Sequence, residues 1–166
     1  MTGDVAIVTG STGAGKTSYA IELASRLGGI RFSIDEWMTT LFWMDSPQPI
    51  EFEWTMARIG RCETQIVDQV TALSAVGVPS VLDLGFTRAD HRARFAEAAA
   101  AMGAAVSLHW VDVSADERWQ RVQARNRDQG ETFAMTVDRA MFDFMEGQWQ
   151  PPSDDEIKNL NGQIIR

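Results

Sequence analysis

Cysteine is almost missing from this chain: of 166 residues only Cys62 is one. An internal disulfide is therefore excluded, and a zinc site built on thiolates has no second ligand of its own kind. Long apolar runs are missing too. No stretch of eighteen apolar residues occurs, and no basic-then-apolar leader precedes the opening MTGDVAIV, so neither a membrane span nor a signal peptide is read. Histidine is limited to His91 and His109, far apart in the chain, and both read as structural. Positive charge is in deficit, with 15 Lys and Arg against 23 Asp and Glu, a net charge of −8. Binding along a nucleic-acid backbone needs the opposite excess, so nucleic acid is possible only in a local basic cleft and is not favoured. No internal repeat or low-complexity linker breaks the chain. At this length, with 45% hydrophobic residues, it reads as one domain over 1–166 with an ordinary core. Together these absences predict a cytoplasmic protein that makes no use of membranes.

Glycine is placed where it matters most. Residues Gly10 to Thr17 read GSTGAGKT and fit G-x-x-x-x-G-K-[ST], the phosphate-binding loop of P-loop nucleotide enzymes. The run before it, Val5-Ala6-Ile7-Val8-Thr9, is apolar and β-branched and reads as a buried parallel strand. Behind the loop, Tyr19, Leu23 and Leu27 recur at helical spacing and Gly28 stops the run. Glycines let the backbone take positive φ and approach a ligand closely. The loop amides then form an anion nest, completed by the positive end of the following helix. Gly10, Ser11, Thr12, Gly13, Ala14, Gly15, Lys16, Thr17 and Ser18 are the expected nucleotide contacts. Lys16 is expected on the β- and γ-phosphates of ATP, and the Thr17 hydroxyl on Mg²⁺.

The rest of the chain alternates strand and helix, which predicts an α/β three-layer fold with a parallel sheet covered on both faces. Strands are expected at 4–9, 30–34, 80–84, 105–113 and 162–166. Helices are expected at 17–27, 35–42, 51–76, from Thr87 or Asp90 to Gly103, from Ser114 to Arg127, and from Thr136 to Gly147. Pro151-Pro152 is expected to forbid regular structure.

Four further groups of residues carry chemistry. Asp35 falls at the carboxyl end of the second strand, where open parallel sheets bind ligands. A carboxylate there can take the proton of an acceptor hydroxyl as general base; the competing reading is a helix cap. Glu36, one residue further on, is the weaker base. Asp83 interrupts the apolar run Val81-Leu82-Asp83-Leu84, and a Mg²⁺ ion or its water shell would offset the cost of burying it. Arg118, Arg121 and Arg125 share one helix face, and Arg125 precedes the break at Asp128-Gln129-Gly130, where a lid over about 126–136 could begin. Arg121 and Arg125 are the candidates to stabilise the transferring phosphoryl group, ahead of Arg118 and Arg127. Finally, about 36–62 is rich in aromatic residues, Met and Arg, Arg58 and Arg61 among them. It reads either as an acceptor-side cap or as plain helix packing.

GSTGAGKT, FSIDEW, VLDLGF and RVQARN, in that order, resemble the P-loop kinase group that contains polynucleotide 5′-kinase domains, zeta-toxin-type kinases and chloramphenicol phosphotransferase, an AAA-like ATP-binding domain. The resemblance runs over nearly the whole chain. It implies a five-stranded sheet in the order 2-3-1-4-5, Asp35 as general base, Lys16 and Thr17 on phosphate and Mg²⁺, and Arg121 or Arg125 on the ATP phosphates. It also implies a phosphotransferase acting on a hydroxyl. A second lid arginine expected of polynucleotide kinases near Gln129 is not there, and with the acidic balance this favours a small-molecule acceptor. The alternatives are a polynucleotide or RNA 5′-hydroxyl kinase, and a regulatory nucleotide-binding ATPase with no acceptor.

Overall fold

Residues 3–130 and 136–166 are described by the computed structural model; the part of the expected lid at 131–135 lies outside them. The elements run β1 (Val5–Thr9), α1 (Lys16–Leu27), β2 (Ile30–Ser33), α2 (Ile34–Phe42), one 3-10 turn (Trp43–Asp45), α3 (Phe52–Ala75), β3 (Ser80–Asp83), α4 (Ala89–Ala101), β4 (Val106–Val111), α5 (Ala115–Asp128), α6 (Arg139–Gln148), α7 (Asp154–Asn159) and β5 (Gln163–Ile165). The strands form one sheet in the order β2-β3-β1-β4-β5, and every pairing is parallel. The α/β architecture and the strand order are as expected.

Every residue of β1 is buried, because the strand is central and each of its faces meets helices. Val5 and Ile7 join Ile66, Val70, Phe95 and Ala99 on the face of α3 and α4, whereas Ala6 and Val8 join Ala20, Leu23 and Ala24 of α1 on the other. Alternation along one strand thus builds the middle of three layers. Ser33 stands opposite Asp83 in the β2–β3 ladder, and this register sets the start of α2 and the end of β3 side by side at the carboxyl edge of the sheet.

The caps depart from expectation in instructive ways. Ser33, not Asp35, caps α2: its hydroxyl accepts from the Glu36 N–H at 3.3 Å. Asp35 is thereby released from capping. At α4 the expected Thr87–Asp90 box is not formed. Thr87 donates to the Gly85 carbonyl, Asp90 takes both arms of the Arg88 guanidinium, and the Ala89 N–H is met by the Gln150 side chain at 2.9 Å. Helix α6 is capped by Asp138, which accepts from the Met141 N–H at 2.8 Å, rather than by Thr136. Pro151 and Pro152 do lie outside regular structure, but α7 follows at once, capped by Ser153 onto the Glu156 N–H. Its signature, Ser153-x-x-Glu156, is a capping box that the two prolines overshadow.

His109 is structural, as expected. Its ring nitrogens meet the Tyr19 hydroxyl at 2.8 Å and the Ser107 hydroxyl at 3.0 Å. Burial first, and Arg26 second, push its pKa below the ordinary 6.5. The folded protein therefore binds this proton less readily than the unfolded chain. Stability from this residue is complete above about 6.5 and is lost as pH falls from there towards the lower folded value. Urea midpoints between pH 8 and 5 should decline, and more shallowly in His109→Gln. Equal slopes would remove His109 as the cause.

Candidate functional site

The glycine loop is already shaped to hold phosphate. Gly13 has φ of 81°, and a Cβ there would lie 2.7 Å from the Arg118 carbonyl oxygen, so no other residue fits without movement. Gly15, at φ of 94°, begins α1 with no side-chain cap, which leaves the first helical N–H groups free for an anion. Three loop carbonyls are each held by a cation: Ser11 by Lys16 Nζ at 3.1 Å, Thr12 by Arg118 Nη1 at 3.2 Å, and Ala14 by Arg121 Nη1 at 3.0 Å. Arg118 is buried and also reaches the Val113 carbonyl and Glu146 of α6. Its work is to bind the loop to α5 and α6, and Ser11 and Thr12 meet Glu146 and Met145 from the same helix.

Loop, strand ends and α5 together enclose a cleft of about 410 Å³, with Lys16, Thr17, Asp35, Asp83, Arg121 and Arg125 all in its wall. Asp35 is solvent-exposed, while Asp83 is only 6% exposed at the end of β3. Burial raises the Asp83 pKa, and Thr17, Lys16 and Arg31 only partly offset that. Lys16 is pushed below its ordinary 10.5 by burial, against the pull of Asp83 and Asp35, with Arg118 and Arg125 pushing it further. Arg31 was not anticipated. It bridges Asp83, at 3.1 Å, and Glu36. The available signal was a cation in β2 facing an anion in β3, each interrupting an apolar run. With Glu36 so engaged, Asp35 is left as the carboxylate of that turn in the cleft wall.

Among the described residues no group of three or more His, Cys, Asp or Glu could hold a metal ion alone. Mg²⁺ needs no such cage, since it keeps waters and binds through one or two protein oxygens plus substrate phosphates. The Thr17 hydroxyl and a buried, incompletely compensated Asp83 in the same cleft wall fit that mode.

The arginines divide by role. Arg121 is half-engaged, on Ala14 and on Glu117 one helical turn away. Arg125 lines the cleft, and its buried Nε has no hydrogen-bond partner among the described residues. Beyond it, Asn126 exchanges two hydrogen bonds with the Val137 backbone, closing the chain on either side of 131–135. Arg127 is exposed.

A second cavity, of about 670 Å³, opens on the α3–α4 side. Gly85 lines both spaces, and Ile34 and Leu84 of the second stand next in sequence to Asp35 and Asp83 of the first. It is lined by Ile34, Ile59, Leu84 and Phe86, of which Phe86 is fully buried, and by Glu63 and His91 among others. Of the aromatic 36–62 stretch, Met56, Ile59 and Gly60 reach this cavity. Trp37 packs on Phe32, and Arg58 is stacked 3.9 Å over Trp54 and bonded to its carbonyl, so packing claims those residues.

Residues 5–152 match the protein family described as AAA domain. No curated protein matches the chain significantly. Among solved structures, Chaetomium thermophilum Kti12 in complex with ADP-AlF3 superposes with a TM-score of 0.71 at 13% identity, covering 97% of this chain and 88% of that one. The Mycobacterium tuberculosis APS kinase in complex with AMPPNP and APS gives 0.62 at 19% identity, covering 92% and 85%. A chain of the Pnkp1/Rnl/Hen1 RNA repair complex gives 0.68 at 17% identity, covering 89% of this chain but 44% of its own length. At these identities the likeness is one of fold.

Proposed function

The chain belongs to the AAA domain family, a P-loop kinase family, and on that footing we propose that it is an ATP-dependent phosphotransferase acting on a hydroxyl of a small-molecule acceptor. The observation that carries this reading is the shared cleft: a glycine loop for the triphosphate and an uncapped, accessible carboxylate, Asp35, in the same wall. Asp35 takes the proton of the acceptor hydroxyl. The acceptor oxygen bonds to the γ-phosphorus, the bond from that phosphorus to the β-γ bridging oxygen breaks, and ADP departs. Lys16 and Arg125 offset the charge spread over the equatorial oxygens, with Arg121 as a second donor to ATP once it leaves Ala14. Thr17 and Asp83 would hold Mg²⁺, which supplies further neutralisation of the β- and γ-phosphates. The acceptor enters from the α3 side through the second cavity, with 36–62 as its cap and about 126–136 as the lid. Among the described residues no helix is long and apolar enough to cross a membrane, and a cytoplasmic site, where ATP is plentiful, goes with this reading.

Two other readings have a specific footing. The Kti12 likeness supports a nucleotide-binding ATPase without an acceptor, and the Pnkp1 complex supports a polynucleotide 5′-hydroxyl kinase. One experiment separates all three: [γ-³²P]ATP with Mg²⁺ over alcohols, sugars, nucleosides and 5′-hydroxyl oligonucleotides. Label on a small alcohol supports the proposal, and label on the oligonucleotide alone supports the second alternative. Slow release of phosphate with no labelled acceptor supports the first.

A further inference from the structure

Two cations act on Asp83, and the structure pairs it with only one of them. Val81 packs with Ala20, Leu23 and Ala24 of α1, so Asp83, two residues further along β3, points to the same face of the sheet. Arg31 stands opposite Val81 in the β2–β3 ladder and shares that face, from which its Nη1 reaches Asp83 Oδ2 at 3.1 Å. The other arm of the guanidinium is held by Glu36 at the start of α2, which fixes its orientation. The Asp83 side chain is 6% exposed and that of Arg31 13%, so water screens this pair little. The second cation is Lys16. Burial is the first cause of its lowered pKa, and of the charges around it Asp83 pulls hardest, ahead of Asp35. Yet Lys16 Nζ rests on the Ser11 carbonyl at 3.1 Å, and among the described residues Arg31 is the one cation in an ion pair with Asp83. A phosphate oxygen can replace a neutral carbonyl on the lysine at little cost, whereas pulling the lysine off a buried carboxylate would leave that charge unpaired. Arg31 itself is not among the residues lining the cleft, so whatever it does for a ligand there it does through its neighbours.

We propose, resting on the nucleotide site of the kinase reading and not on its acceptor, that Arg31 is a positioning residue for Lys16: by occupying Asp83 it leaves the lysine on a neutral oxygen, ready to move to the nucleotide phosphates. With no cation at position 31, Asp83 is a buried carboxylate lacking a counter-ion, and the cost of that state draws Lys16 Nζ onto it. Each nucleotide that binds must then take the lysine from a buried partner, and affinity falls. Arg31 thus acts on the phosphate site from β2 without touching the ligand.

The test is ADP binding to the full chain, read by calorimetry or by displacement of a fluorescent ADP up to millimolar nucleotide, with EDTA present so that no metal ion contributes. Arg31→Met should weaken ADP by about tenfold, the worth of one charge-assisted contact to phosphate. Arg31→Lys, which keeps a cation for Asp83, should restore most of that affinity. The deciding measurement is made in a Lys16→Met background. There, adding Arg31→Met should change ADP affinity by less than about twofold, because the two residues act as one unit. A melting curve checks each fold, and Arg31→Gln, which keeps a donor for Asp83 but no charge, replaces Arg31→Met if that variant does not fold. A loss as large in the Lys16→Met background as in the wild type would make Arg31 a support of the fold alone and overturn the inference. Unchanged affinity in Arg31→Met would overturn it too, and both results leave the kinase reading in place. The expected binding pattern without phosphotransfer to any acceptor would keep the inference and sink the kinase. A wild-type chain that binds no ADP would overturn both.

Discussion

Asp35→Asn is expected to lower the phosphotransfer rate by about 10² to 10⁴-fold, the range that a positioned general base contributes. ATP affinity, read by fluorescence titration or calorimetry, should stay close to wild type, because the loop amides, Lys16 and the arginines are untouched. The amide keeps the size and polarity of the carboxylate but cannot take the proton. The structure also separates this from a folding effect. Ser33 caps α2, so Asn at 35 removes no cap. Ser33→Ala supplies the complementary control: loss of the cap costs about 1 kcal/mol of stability, while the proton acceptor remains. A variant Asp35→Asn that transfers phosphate at the wild-type rate removes this residue as the base, and rate losses of equal size in both variants would mean that the helix start, not the carboxylate, matters.

The largest expected stability effect lies away from the cleft. Arg92→Met should cost about 3–5 kcal/mol, the usual result of removing one partner of a buried pair. Arg92 is 0% exposed, in α4, and both its arms meet the Glu156 carboxylate of α7. Its Nη1 also donates to the carbonyls of Phe86, at 3.1 Å, and Gln150, at 2.9 Å. Methionine fills the aliphatic space but takes the Arg92 donor from the Gln150 carbonyl and the Glu156 carboxylate, and leaves the Phe86 carbonyl with the Thr9 hydroxyl alone. Against a total stability of about 5–15 kcal/mol this is a large share. Urea denaturation followed by tryptophan fluorescence measures it. Arg88→Met, which breaks an exposed pair on the same helix start, should leave the midpoint unchanged. A midpoint for Arg92→Met equal to that of Arg88→Met would show that α7 docks by other means.

What could be read from the sequence follows the range of the interactions involved. Strand β1, the glycine loop and α1 were legible because local rules define them: a β-branched run, glycines at fixed spacing and a four-residue rhythm ended by Gly28. The place of Asp35 in the cleft wall was legible by the same route, from its position after a strand. Capping was legible at Ser114, where the box spacing is complete, and misread at Thr87 and Thr136, while at Asp35 the cap was only the competing reading and Ser33 takes that place. In each of those cases a neighbour two or three residues away, or Gln150 from across the fold, supplied the cap or took its place. Arg31, Glu63 and Arg92 were not legible as anchors, since their partners lie 31 to 64 positions away at the contacts that define them. Nothing in local pattern marks which surface arginine will end fully buried.

The cations on the carbonyls of Ser11, Thr12 and Ala14 have a kinetic consequence. Ordering a loop costs conformational entropy, and here that cost falls on folding rather than on the encounter with a triphosphate. Arrival of the nucleotide should therefore be limited by collision and by the small exchange of Lys16 and Arg121 from oxygen to phosphate, with no slow concentration-independent phase. In that sense the protein resembles a lock cut in advance, its selectivity fixed when the chain collapses.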